Sequence, residues 1–254
     1  MSWNAIVLAG SRPGTDPFAA AHGTDLKALI PVGGSPMVAR PVAALLQSSE
    51  IGHVRVLTQY PERIEAALPK NDRLFVESSG ATIASTLDAI LCNPDTQFPL
   101  LVTTADHALL DPAMIADFCA NAAEADVAIG LVERRSLMAR LPDTERTWLS
   151  FRGGAYSGAN LFAFGSANAA KAVALWRSVE QDRKKGWRVI SALGPMALLG
   201  AALRLRTLDQ TLASVGERLN LTIRKIELSN PLAAVDVDKP SDHELVTAIL
   251  EGRA

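Results

Sequence analysis

The chain has 254 residues, 48% of them hydrophobic, and its 25 basic and 27 acidic residues leave a formal charge of −2. That length can bury a sizeable core in one domain, and charges spread this evenly leave no basic stripe of the kind that grips nucleic-acid phosphates. The opening MSWNAIVLAG has no basic leader, and its apolar run is too short for a signal peptide or a membrane span, so a cytoplasmic location is expected.

Through the first half, apolar runs of strand length alternate with segments of helical period, the pattern of an α/β protein with a mostly parallel sheet. Strands are predicted over 4–8, 54–58, 73–77, 100–103 and 127–132. Behind the first lies a long run of Gly, Pro and small polar residues, GSRPGTDPFAAAHGTD, before Lys27. In ATIASTLDAIL, residues Ile83, Leu87, Ile90 and Leu91 share one helical face that should pack on the sheet. Asp111 then caps a helix with Pro112 at its first position, where a missing N–H costs nothing, and Met114, Ile115, Phe118 and Ala122 supply its buried stripe. Cys92 and Cys119 both fall among apolar residues of these helices and read as reduced core thiols.

From 133 to 165 the alternation fails. The stretch reads as a basic loop and then short strands joined through Gly153-Gly154 and Gly158, the start of an insertion over the core (about 133–220) of the kind that builds a substrate pocket. A helical region follows over 167–219. Its most apolar part, 191–203, is broken by Gly194 and Pro195 and is too short to span a bilayer, though a peripheral membrane contact with Trp187 stays open. Strands near 221–228 and 234–237 lead to a last helix with Ser241 and Glu244 in capping-box spacing. No repeat or linker divides the chain, so residues 1–254 read as one domain.

Three features could carry chemistry. In an open parallel sheet, ligands bind beyond the carboxyl ends of the strands. Gly10 and Gly14 would let backbone amides approach an anion there, while Arg12 and Lys27 add positive charge; by itself the loop is equally a structural turn. In LLVTTADHALL, Asp106 emerges at a strand's carboxyl end, where it could hold magnesium against phosphates or simply cap a turn. His107 reads as its structural neighbour. In AAVDVDKPSDHE, Asp236 and Asp238 alternate on one face of a strand end, as metal ligands or as solvated charges.

Taken together, LAGSRPG…LKALIPVGGSPM, LLVTTADHALL, YSGANLFAF and VDVDKPSDHEL resemble the ordered motifs of the nucleotidyltransferases that share the GT-A-like, Rossmann-like nucleotide-diphosphosugar transferase fold, a three-layer α/β/α architecture. These include the molybdopterin-guanine dinucleotide enzyme, the sugar-phosphate nucleotidyltransferases and the cytidylyltransferase of isoprenoid synthesis. The resemblance runs from Ile6 to about Leu245. It implies transfer of a nucleotide from a nucleoside triphosphate to a phosphorylated small-molecule acceptor, with magnesium. Leu8, Ala9, Gly10, Ser11 and Gly14 would wrap the triphosphate, with Lys27 and Arg12 on its phosphates. Asp106 would be the first metal ligand and Asp238, or else Asp236, the second. Gly80 and Ser85 match the Gly-x4-Ser spacing of the cytidylyltransferases' base loop, and this tilts the reading toward CTP. Gly158 and Asn160 fall where the family presents the acceptor. Two departures stand out: Ser11 replaces the second glycine of Leu-Ala-Gly-Gly, and the stretch before Lys27 is longer.

The basic residues Arg152, Lys184, Lys185 and Arg188 are candidates for the acceptor phosphate, with Trp148, Tyr156 or Trp187 packing on the acceptor; solvated charges and half-buried aromatics are the alternative. Two rival functions use the same residues: a glycosyltransferase with Asp236-Val-Asp238 as its metal pair, and a nucleotide-binding protein without turnover.

Overall fold

A computed structural model describes residues 2–11, 14, 16–181 and 206–254. Its first strand, β1 (Trp3–Leu8), is apolar from Ala5 onward because both faces are covered there: Ala5 and Val7 face one core and Ile6 the other, all fully buried. β4 (Ile51–Thr58) and β6 (Leu100–Thr104) run parallel on either side of it, and β5 (Leu74–Ser78) lies parallel beyond β4. Two short strands, β2 (Pro31–Val32) and β3 (Ser35–Pro36), form a separate hairpin.

Helices α2 (Ala39–Gln47) and α5 (Pro112–Ala122) cover one face through Val42, Leu45, Ile115 and Phe118. Helices α4 (Ile83–Leu91) and α7 (Ala170–Gln181) cover the other, so the architecture has the three layers expected. Asp111 caps α5 by accepting the Met114 N–H at 2.7 Å, with Pro112 at the first position. In α4 the stripe starts later than its period suggests. Ile83 sits at the helix start, 43% exposed, while Leu87, Ile90 and Leu91 are buried. Cys119 is buried and its thiol is pushed up to about 12 by burial, whereas Cys92, just past the end of α4, is exposed and not a core thiol.

Within the region read as an insertion, two stretches, 149–151 and 154–164, belong to the sheet. Helix α6 (Arg134–Arg140) replaces the expected basic loop after β7 (Val127–Glu133). A hairpin of β8 (Leu149–Phe151) and the 11-residue β9 (Gly154–Phe164) follows. β9 enters antiparallel between β6 and β7, and the path across the sheet is β10-β7-β9-β6-β1-β4-β5. β10 (Ile223–Glu227) follows α8 (Leu208–Leu219). No strand forms over 234–237: a 3-10 turn at Pro231–Ala234 leads into a segment tied to the sheet region by Val237 N–H to Asp106 O, 3.1 Å. The last helix, α9 (Pro240–Leu250), starts before Ser241, and its cap is Asp242, which accepts the Lys239 N–H at 3.1 Å. Among the described residues no helix is long and apolar enough to cross a membrane; the 191–203 segment and Trp187 lie outside them.

Candidate active site

The site stands at the carboxyl ends of β1, β4 and β6. Leu8 ends β1, and its carbonyl accepts the Ala105 N–H at 3.0 Å, so the loops after β1 and β6 leave the sheet side by side. Ala9 N–H still pairs with Leu57 O, and the chain then turns at Gly10 and Ser11. Gln59, just past β4, accepts the Ser11 N–H at 2.8 Å. A Cβ on Gly10 would lie 3.2 Å from the same Gln59 amide, so glycine lets that brace close on the loop. Gly14 has φ +106, a conformation glycine adopts freely. Arg12 lies outside the described residues.

The extra length before Lys27 folds. Asp16 caps a short helix, α1 (Pro17–Ala21), by accepting the Phe18 and Ala19 amides. The rings of Phe18 and His22 pack with His243 of α9, the two histidine rings 4.6 Å apart. Arg63 forms a forked pair with Asp25. Lys27 then begins a 3-10 turn (Lys27–Leu29) whose flanking Leu26, Ala28 and Ile30 are buried, which fixes the direction in which the lysine leaves the backbone.

Lys27 Nζ meets two carboxylates, Asp106 Oδ2 at 2.8 Å and Asp238 Oδ1 at 2.5 Å. Burial works against its charge, but Asp106 and Asp238 outweigh that cost and hold the ammonium above its usual pKa. The Thr104 hydroxyl donates to Asp106 Oδ1, so this carboxylate is aimed from both sides. Asp238 is more open, at 64% exposure, and its backbone N–H donates to Asp242 Oδ2 at 3.1 Å. His107, beside Asp106, is fully buried; burial pushes its imidazole down to about 4, and Thr103 Oγ1 is 3.3 Å from Nδ1.

Asp236 does not join this cluster as a free ligand. Arg146 Nη1 donates to its Oδ1 and Asn160 Nδ2 to its Oδ2 at 3.0 Å, so both oxygens are engaged. Burial raises its pKa, Arg146 opposes that, and Asp238 and Asp106 add to the rise. Asn160 reaches it from a bulge. β9 loses register with β7 between Ile129 and Leu131, and Asn160 takes φ +48, a conformation rare outside glycine but favoured by asparagine.

The remaining sequence candidates scatter. Gly80 N–H donates to Thr86 Oγ1 from the loop after β5, and Ser85 forms a capping box with Thr82 in the first turn of α4, two strands from β1. Gly158 is exposed, two residues from Asn160. Arg152 lies at the tip of the β8–β9 hairpin, roughly 20 Å along the chain from Gly158 at about 3.3 Å per residue. Tyr156 is buried under Lys225, and Arg134 stacks on Trp148. Lys184, Lys185 and Arg188 lie outside the described residues. Sequence reasoning passed over Gln59, Thr104, Arg146 and Asp242. Only Asp242 has a local signature, an acidic residue at the third position of a helix.

A family model for the MobA-like NTP transferase domain matches residues 5–195. The chain belongs to this family. As a MobA-like NTP transferase it is an enzyme of the nucleotidyltransferase class. A solved structure described as a hypothetical transferase from Thermus thermophilus is 27% identical, with TM-score 0.78 over 96% of this chain and all of that one. Two more distant structures share the fold. The 4-diphosphocytidyl-2C-methyl-D-erythritol synthase of Anaerococcus prevotii has TM-score 0.58 at 11% identity, over 98% of this chain and 96% of its own. A CMP:2-keto-3-deoxy-manno-octonic acid synthetase complexed with CTP has TM-score 0.58 at 13%, over 99% of this chain and all of its own. A search of curated proteins finds no match.

Proposed function

We propose that this NTP transferase moves a nucleoside monophosphate, preferably CMP, from the triphosphate to a phosphorylated small molecule such as a sugar, polyol or cofactor phosphate. The observation that carries the reading is Lys27 between Asp106 and Asp238, with Asp106 in the loop that leaves the sheet beside the Gly10–Ser11 turn. An oxygen of the acceptor phosphate attacks the α-phosphorus in line. The new O–P bond forms as the bond to the β-phosphate bridge breaks, and pyrophosphate leaves with the electron pair. An ionised acceptor phosphate needs no general base, so the protein's task is alignment and charge neutralisation.

The donor set suits magnesium. Asp106 and Asp238 present oxygens to one common point, and magnesium takes one or two carboxylates together with phosphate and water oxygens. Among the described residues no cluster of three or more His, Cys, Asp or Glu offers an all-protein cage. Bound there, the cation would neutralise charge on the phosphates. Lys27, released from the carboxylates, would donate to a phosphate oxygen, and Gly10 would offer its backbone N–H, joined by that of Ser11 once it parts from Gln59. The CTP preference rests on the Gly80–Ser85 loop and on the cytidylyltransferases among the fold relatives. The glycosyltransferase alternative needs Asp236 and Asp238 as a free pair, whereas Arg146 and Asn160 occupy Asp236.

The test is a matrix of the four ribonucleoside triphosphates against phosphorylated sugars, polyols and pterin-type acceptors with magnesium, read as pyrophosphate release. Lys27→Ala should slow the productive pair about a hundredfold to a thousandfold, as for loss of another preorganised charge stabiliser. Turnover equal to wild type would remove Lys27 from the site. Release of a nucleoside diphosphate from a nucleotide sugar would favour the glycosyltransferase.

A further inference from the structure

The segment that carries Asp238 has no strand pairing to hold it, yet its carboxylate meets Lys27 at 2.5 Å. Arg146, in the loop between α6 and β8, lies across the two acidic residues that bracket it. Its guanidinium donates through Nη1 to Asp236 Oδ1, donates through Nη2 to the Asp236 carbonyl at 3.3 Å, and stands 3.6 Å from Asp242 Oδ1. Asp242 in turn accepts the backbone N–H groups of Asp238 and Lys239 through its other oxygen, both at 3.1 Å. Arg146 is 9% exposed and Asp242 is 10%, so these contacts are shielded from water and worth more than a surface ion pair.

We infer that Arg146 is a positioning residue for the reaction, a buried clamp that fastens Asp236 on one side and Asp242 on the other and so fixes the Asp238 carboxylate beside Lys27 and Asp106. This rests on the nucleotidyl-transfer reading for its catalytic consequence, but the clamp itself is a property of the free protein. Asn160 contributes the second donor to Asp236, which is why the β9 bulge turns that amide toward the segment. A fixed guanidinium suits the task. It spans two carboxylates with separate nitrogens, whereas a lysine offers a single ammonium point.

The test uses the full chain carrying Arg146→Ala, Arg146→Lys or Asp236→Asn, with two readouts. In the free protein, amide hydrogen exchange at Asp238 and Lys239 should accelerate about tenfold or more in Arg146→Ala, with the sheet strands unchanged. In turnover, the magnesium concentration for half-saturation should rise roughly tenfold to a hundredfold, the range seen when partners of metal ligands are removed. The KM for the triphosphate at saturating magnesium should stay within about twofold. Arg146→Lys should recover part of both effects. Unchanged exchange at Asp238 and Lys239 would overturn the clamp, and faster exchange with an unaltered magnesium requirement would reduce Arg146 to a structural residue. If Arg146→Ala does not fold, Arg146→Lys and Asp236→Asn carry the same two readouts. Exchange needs no substrate, so it judges the clamp even where wild-type protein releases no pyrophosphate, a result that would instead refute the transfer reading.

Discussion

Lys27 bonds to two carboxylates that lie 79 and 211 residues away in sequence. Its positive charge lies between the two acids and offsets part of their mutual repulsion. His107 shows the opposite treatment of a titratable group. It is buried behind Asp106, and burial pushes its pKa down to about 4 against an ordinary 6.5. The unfolded chain therefore takes up a proton near pH 6.5 that the folded protein refuses until about pH 4. Between those values the unfolded state binds more protons, so stability is full above pH 6.5 and falls as the pH drops toward 4. The loss attributable to His107 should reach about 3 kcal/mol at the acid end. Urea unfolding of wild type and His107→Leu at a series of pH values isolates it: the variant should have a flatter acid limb. Parallel curves would mean that other groups set the acid dependence.

At the scale of elements, the bulge in β9 turns a sheet strand into part of the site. Gly130 of β7 faces it. A Cβ there would come within 2.9 Å of Leu161 Cβ, 3.2 Å of Leu161 O and 3.3 Å of a Phe118 ring carbon. Gly130→Ala should cost about 1–3 kcal/mol by overpacking and should also weaken turnover, since the strain falls next to Asn160. Asn160→Gly separates the two effects. It keeps the backbone conformation and loses the amide to Asp236, so stability should change little while the magnesium requirement rises. A Gly130→Ala protein as stable as wild type would show that the bulge is soft. Neither feature was legible in the sequence. YSGANLFAF reads as short strands broken at Gly158, whereas one strand runs through that glycine, and only pairing with β6 and β7, from distant parts of the chain, reveals that it lies mid-sheet and bulges at Asn160. The helices were legible because their signals are local: Asp111 and Pro112 announce α5 with its stripe in register. Ile83 misled because periodicity does not tell the first helical position from the second turn.

Across the whole molecule, Lys27, Asp106 and Asp238, far apart in sequence, converge at the carboxyl ends of the central strands. Lys27, Asp106 and Asp238 carried enough motif context to be singled out from sequence, whereas Arg146 and Gln59 did not, since each acts through a contact fixed only when the chain is folded. This convergence has a thermodynamic consequence. On the proposed reading, a magnesium–triphosphate complex would tie the N-terminal loop, the end of β6 and the start of α9 together, and a ligand that binds only the folded state stabilises it by mass action. At a concentration a hundredfold above Kd the gain is about 2.7 kcal/mol, or roughly 5–10 °C in Tm for a chain of this size. Magnesium alone must displace Lys27 from both acids with no phosphate to receive its charge, so it should shift Tm much less. Thermal unfolding with magnesium, with CTP, with both, and with the other three triphosphates measures this directly. The combined ligands should exceed the sum of their separate effects in wild type, and the excess should vanish in Asp106→Asn. Equal shifts with magnesium present or absent would mean that the triphosphate binds without the cation and that Asp106 and Asp238 serve only to hold Lys27.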